Sequence, residues 1–275
     1  TDAARRQPNR MSSNSQDTSR SNGSASPWPE PCSVEMRDLH HRYASGREAL
    51  KGISISLKPG EHVLLAGGGL GNAVLFSIAK AMRAGGNNVI YFAGYKKGED
   101  FFKREEIEDS TDQVIWSTDT GSPIEARRPQ DAHFRGNIVQ AMIAYARGEL
   151  APVQVPLSQV DRLIAIGSDR MMSAVKGARY GVLAPYLKPN HIAIGSINSP
   201  MQCMMKEVCA QCLQRHVDPQ TGQETIIFSC VNQDQLLDRV DFPNLSARLR
   251  QNTVKEKLAN LWLDTLLKTS SLPHV

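Results

Sequence analysis

From His62 to Ile194 the chain alternates short apolar runs with helical stretches, and that order leaves few folds open. His62-Val63-Leu64-Leu65-Ala66 reads as a buried strand, because a run this short and this apolar offers no face to water. Ala73 to Ala84 follows as a helix, with Val74, Ile78, Ala81 and Met82 near helical spacing, and Gly85-Gly86 stops it. Further strands are expected at Val89–Ala93, Gln113–Ser117, Arg162–Ile166 and His191–Ile194. The helices between them are a short charged one at Asp100–Ile107, one at Asn137–Ala146 with Ile138, Met142 and Tyr145 on one face, and one at Arg170–Tyr180. Upstream, a strand at Ile53–Leu57 runs into the turn Lys58-Pro59-Gly60.

Strands separated by helices predict an α/β fold, here a five-stranded parallel sheet of the Rossmann-like, nucleotide-binding kind with helices on both faces. Such sheets bind ligands beyond the carboxyl ends of their strands. The turn after the first apolar strand is Gly67-Gly68-Gly69-Leu70-Gly71-Asn72, and it opens a helix. Glycines allow a tight turn and close backbone approach to a pyrophosphate, and the helix aims its free N–H groups at the phosphates. A strand–helix turn with no ligand is the alternative. Lys96 and Lys97 stand where a ribose is read and would pair with a 2′-phosphate; two solvated loop lysines are the other reading. The polar stretch Ser117-Thr118-Asp119-Thr120-Gly121-Ser122 ends the third strand of this series. After the fourth come Gly167, which permits close approach of a nicotinamide, and Ser168 or Asp169, either of which can cap a helix.

Four of the five cysteines fall close together: Cys203, Cys209, Cys212 and Cys230. Three thiols close in sequence and one distant thiol suit a metal centre that a returning strand closes. The spacing C-x5-C-x2-C…C is one residue longer in its first gap than that of plant-type [2Fe–2S] ferredoxins. Four thiolates also satisfy tetrahedral zinc, and buried unliganded thiols are the third reading. Cys32 lies apart in a Pro-rich stretch and is expected as a free surface thiol. His133, His191 and His216 show no paired spacing, and His216 is expected as a solvated loop histidine rather than a ligand.

The net charge of +4 over 275 residues gives no electrostatic support for a nucleic-acid partner. No apolar run reaches the ~18–20 residues of a membrane span, and no signal-peptide core is present, so a cytoplasmic location is expected. The expected organisation is a disordered Ser/Asn/Arg/Pro-rich tail at 1–31, a strand and turn region at 32–61, a reductase-type nucleotide domain at 62–196, an iron–sulfur region at 197–242 and C-terminal helices at 243–275, one or two of them amphipathic over Leu245–Leu267.

Taken in order, the glycine-rich turn, the Thr118-Asp119-Thr120-Gly121 loop, the Gly-x-x-x-Met-Met helix start at Gly167 and the four cysteines resemble the ferredoxin–NADP reductase superfamily. The branch most like it is the iron–sulfur electron-transfer subunit of dihydroorotate dehydrogenase, with the C-terminal module of glutamate-synthase-like flavoproteins. The resemblance implies an NAD(P)H-dependent electron-transfer oxidoreductase in which FAD mediates between NAD(P)H and a [2Fe–2S] cluster. It implies that Gly67, Gly69 and Gly71 meet the pyrophosphate, that Thr118 and Asp119 line the crevice, that Gly167 lies beside the nicotinamide and that the four cysteines hold the cluster. No flavin motif is apparent, so FAD is expected on a partner subunit or a missing domain, and a redox partner or larger assembly is implied. A non-catalytic subunit with a four-cysteine zinc site is the alternative. Residues 34–61 resemble the opening strands of an ABC-transporter ATPase, but Gly67–Val74 contains neither the lysine nor the hydroxyl residue that a P-loop needs.

Overall fold

The computed structural model describes residues 34–42, 48–57, 59–150, 152–197, 212–230, 232 and 234–269. The expected tail and Cys32, Cys203 and Cys209 lie outside the described residues. Strands β1 (Val34–Arg42) and β2 (Glu48–Leu57) form an antiparallel hairpin with Val34 opposite Leu57. β2 contains the expected strand at Ile53–Leu57.

The centre is a seven-stranded sheet rather than the five-stranded one expected. Its parallel strands are β3 (His62–Gly68), β4 (Asn88–Lys97), β5 (Gln113–Thr120), β6 (Ala132–Arg135), β7 (Arg162–Ile166) and β8 (Ile192–Ser196). A small hairpin, β9 (Leu213–Val217) with β10 (Glu224–Phe228), precedes β11 (Asp234–Leu236), which pairs antiparallel with β8. The spatial order is β11-β8-β7-β3-β4-β5-β6. The two added members, β6 and β11, are four and three residues long. Neither shows an apolar run, because an edge strand keeps much of its surface wet. β6 is held through the Asp131 carboxylate, which accepts from Val114 N at 2.8 Å.

Both faces of the sheet are covered, which explains why its strands read as continuous apolar runs. On one side Val63, Leu65, Tyr91, Val114 and Trp116 pack against α1 (Asn72–Ala84) and α2 (Arg104–Asp109) through Leu75, Ala79 and Ile107. On the other, Leu64, Ala66, Ile90, Phe92 and Ile115 meet α3 (Ile138–Ala146), α4 (Asp169–Tyr180) and the first turns of α5 (Phe242–Thr269). The period of two in a strand sends alternate residues to the two layers. α2 starts later than the expected Asp100 because Lys103 adopts φ 56°, which no continuing helix tolerates. The terminal segment is one helix.

Two buried polar knots lock the layers. Tyr145 OH meets Gln113 Oε1 at 2.8 Å and Val155 O at 3.0 Å, so α3 is tied to β5 and to the loop before β7. Arg179 on α4 donates from Nε to His191 Nε2 at 2.7 Å and reaches Asp238. Because His191 Nε2 accepts, its proton sits on Nδ1, which meets Lys188 O at 2.6 Å.

That tautomer has a pH consequence. Burial is the main reason that His133, His191 and His216 are held below the ordinary histidine pKa, helped by nearby Arg135, Arg179 and Arg239 respectively. The folded protein keeps all three neutral more readily than the unfolded chain, whose histidines titrate near ~6.5. Their contribution to stability is therefore complete above that value and is lost as pH falls through the depressed folded values. Urea midpoints should be level from pH 8 to 7 and decline between pH 6.5 and 5. An unchanged midpoint at pH 5 would show that these imidazoles do not resist protonation.

Candidate functional site

The chain runs outward from β3 to β4, β5 and β6, then returns to lay β7 on the other side of β3. At this reversal the loops after β3 and β7 part, and a crevice opens at the carboxyl ends of the strands. Its volume is about 940 Å³, in the range of cofactor pockets. The floor follows the sheet register: Gly68 lies beside Gly94, and Gly94 beside Ser117. Ile166, Gly167 and Ser168 form one wall and Asn137–Gln140 the other.

The glycines here do different jobs. A Cβ on Gly71 would lie 2.0 Å from Ile166 O, so the start of α1 touches the backbone end of β7. A Cβ on Gly67 would lie 1.9 Å from Asn72 Oδ1. Gly68 and Gly167 face each other, a Cβ on Gly167 coming 3.2 Å from Gly68 Cα and 2.3 Å from Met171 Cε. Gly69 alone of this group has a positive φ, 53°, with open space where a side chain would be. Gly68, Gly69, Gly71 and Gly167 line the crevice.

The polar residues expected at the site divide. Lys96 lines the crevice, whereas Lys97 is exposed beside Gly121, as successive residues of a strand must diverge. Asp119 lines it, whereas Thr118 is buried with Oγ1 2.9 Å from His133 Nε2, tying β5 to β6. Asn72 is fully buried: its Nδ2 donates to Gly94 O at 3.1 Å and its Oδ1 accepts from Tyr91 OH at 2.9 Å. Its side chain clamps α1 to β4 and is already satisfied. Ser168 lines the crevice and caps α4, its Oγ accepting from Met171 N at 3.2 Å, and Asp169 supplies the acidic charge of that first turn.

Residues without an expected role also face the crevice. Arg170, like Lys96, places a cation beside it. Asn137 and Gln140 form a reciprocal capping box at the start of α3, each side chain bonding the other's backbone N–H at 3.0 Å. An Asn followed three residues later by Gln just before an apolar run is a legible signal for that cap. α1 (N-cap Gly71) has no side-chain cap, and the Asn72 N–H at its start turns back to Gly69 O and Leu70 O. Ser117 is buried and its Oγ has no hydrogen-bond partner. Tyr95, at the rim, stacks on Trp116 with centroids 6.5 Å apart, and burial pushes its hydroxyl up to about 12, so it stays a neutral donor.

A second candidate centre lies at the open end of the β9–β10 hairpin. Phe228 pairs with Leu213, which brings Cys230 and Cys212 together with Sγ atoms 3.2 Å apart. Both thiols are buried. The separation is well beyond the ~2.05 Å of a disulfide and close enough for both sulfurs to face one metal. Ser229 pins the geometry, donating from N and Oγ to Cys212 O at 3.1 and 3.0 Å. The other two expected ligands, Cys203 and Cys209, lie outside the described residues. Among the described residues no group of three or more ligating side chains converges. His216 is not a solvated loop residue: it is buried in β9, with Nε2 meeting Gln235 Oε1 at 2.7 Å.

No family model matches the chain. The dihydroorotate dehydrogenase B (NAD(+)) electron transfer subunit homolog of Thermotoga maritima is 27% identical over 212 residues, which cover 76% of this chain and 62% of that protein. A solved structure of the NADH-dependent reduced ferredoxin–NADP oxidoreductase, studied for flavin-based electron bifurcation, superposes with a TM-score of 0.54 at 23% identity, over 79% of this chain and 70% of that one. The chain is thus similar in sequence to an electron-transfer subunit homolog and shares the fold of that oxidoreductase. An uncharacterized protein of Rickettsia prowazekii (strain Madrid E) is 45% identical over 65 residues, 24% of this chain and 9% of that protein. The chain thus spans less than two thirds of either curated relative. No described helix is long and apolar enough to cross a membrane.

Proposed function

We propose that this chain is the electron-transfer module of an oxidoreductase, binding NAD(P)H in the crevice and a [2Fe–2S] cluster at Cys203, Cys209, Cys212 and Cys230. The observation that carries the reading is a conjunction: one chain holds a crevice suited to an anionic dinucleotide and a buried thiol pair suited to a metal. Three helix starts, at Gly71, Asn137 and Ser168, adjoin the crevice and bring partial positive charge to it. Lys96 and Arg170 add two full charges. The diphosphate would lie on Gly68–Gly71, and Ser117 Oγ offers a hydroxyl still lacking a partner. Gly167 leaves a gap between the two wall backbones for a flat ring. When bound, these groups supply a hydride and a one-electron acceptor, with FAD between them on a partner subunit or another segment. The chain's own part is to orient the ring against Gly167, hold the phosphates and keep water from the thiols. In this reading the protein works in the cytoplasm with a redox partner.

Anaerobic incubation with ferrous iron and sulfide should give a coloured protein with equal iron and sulfide, and NADH or NADPH should alter the emission of buried Trp116, which Tyr95 connects to the crevice. A colourless protein with stoichiometric zinc would favour the structural-subunit reading instead. Lys96→Ala should weaken NADPH binding about tenfold, the worth of one charge-assisted hydrogen bond, and NADH binding less. Lys97→Ala should change neither. Equal loss for both nucleotides in K96A would show that Lys96 reads the diphosphate rather than a 2′-phosphate.

A further inference from the structure

β9 alternates buried Gln214 and His216 with half-buried Leu213, Arg215 and Val217, and buried Cys212 continues the inward row. One face of the strand therefore carries a thiol, an amide and an imidazole in succession. The imidazole is satisfied by Gln235, whose own amide donates to Asn232 O at 2.9 Å. Gln214 is different. It is 3% exposed, and neither its Oε1 nor its Nε2 has a hydrogen-bond partner.

A buried amide left unpaired opposes folding, and an orphaned N–H is rarer in proteins than an under-satisfied C=O. A leucine or valine would suit this position at no such cost, since Gln214 stands opposite Ile227 on β10. Buried groups of this kind often mark an ion or ligand that completes them. The chemistry nearby is sulfur. Cys212 is the next residue on the same face, with Cys230 Sγ 3.2 Å from its own. Same-face neighbours on a strand stand about 7 Å apart, within the reach of a glutamine side chain. A thiolate or inorganic sulfide needs donors, and a primary amide has two.

We propose that Gln214 Nε2 donates a hydrogen bond to sulfur of the centre held by Cys212 and Cys230, and so raises its reduction potential. The inference rests on the reading of these thiols as a ligand pair. A donor to sulfur offsets negative charge, which favours the reduced, more negative state. The amide does not ligate metal and does not move a proton; it sets the electrical environment of the sulfur.

The test uses the full chain, wild type and Gln214→Leu, with Gln214→Met as a second apolar variant should the first fold poorly. Each is reconstituted anaerobically with ferrous iron and sulfide. The midpoint potential, read by visible absorbance, should move negative in the variants, and the Fe–S stretching bands should shift in resonance Raman spectra. Without metal, the variants should resist urea better than wild type, because the orphaned amide is gone, and loading should shrink that advantage. A wild-type protein that takes up a cluster while the variants show the same potential and the same bands would overturn this inference alone. A wild type that forms no cluster would overturn the ligand-pair reading and this inference with it. A metal-free Q214L no more stable than wild type would show that the amide is already paired within the chain, and would also sink the idea.

Discussion

Gly71→Ala should strongly destabilise the protein, although it adds one methyl group. The backbone at Gly71 has φ −59°, a conformation any residue adopts, so no strain arises from the dihedral itself. The cost is contact. The new Cβ would stand 2.0 Å from Ile166 O, 2.5 Å from Ile166 C and 3.0 Å from Gly167 N. All three are main-chain atoms at the end of a strand buried on both faces, so no flexible side chain can swing aside. Relief requires α1 to move away from β7, and α1 is also clamped to β4 through Asn72. Overpacking typically costs about 1–3 kcal/mol where neighbours can shift, and here the upper end or beyond is expected. Against a total stability of roughly 5–15 kcal/mol that is a large share.

Gly69→Ala makes the contrast. Its φ of 53° penalises an L-residue by about 1–2 kcal/mol, but nothing stands within 4 Å of the added carbon. This variant should fold, with a modestly lower urea midpoint, and should bind NADH more weakly because the methyl enters the turn proposed to hold the phosphates. If G71A kept the wild-type urea midpoint, the contact between α1 and β7 drawn here would be wrong.

Cys230→Ser should abolish the metal centre outright. A serine hydroxyl is a poor ligand for iron beside thiolates, and in the proposed set Cys230 is the returning ligand that closes it. Its neighbour Ser229 fixes the position through two bonds to Cys212 O. Iron content and visible absorbance after reconstitution should fall to background in C230S and in C212S, with NADH binding unchanged because the crevice draws no residue from the hairpin. A second readout is stability. A centre bound only by the folded state stabilises it by mass action. Wild type should therefore gain resistance to urea on loading, whereas C230S should show the same midpoint with and without iron. Retention of colour in C230S would remove Cys230 from the ligand set.

Much of the fold was legible because the core strands are buried on both faces. β3, β4, β5, β7 and β8 announce themselves as apolar runs, and α1, α3 and α4 begin within a residue or so of their expected starts because the glycine turn, Asn137 and Ser168 are local signals. β6 and β11 carry no such mark. They exist because a neighbouring strand offers free backbone groups, which is a tertiary fact. The same limit applies to the site. Which of Lys96 and Lys97 faces the crevice depends on β4 continuing as a strand through both. That Thr118 turns to His133 while Asp119 turns to the crevice depends on β6 lying alongside.

The sequence by itself determined the layered α/β architecture, the starts of α1, α3 and α4 and the pairing of a glycine turn with a cysteine group, since each follows from local periodicity, capping or composition. Only the tertiary structure decided that Gly71 serves backbone packing, that Asn72 is spent on Tyr91 and Gly94, that His216 is buried and that Cys212 meets Cys230 across 18 positions. Those outcomes rest on distances between segments remote in the chain, which strand register and helix packing set and no local pattern encodes.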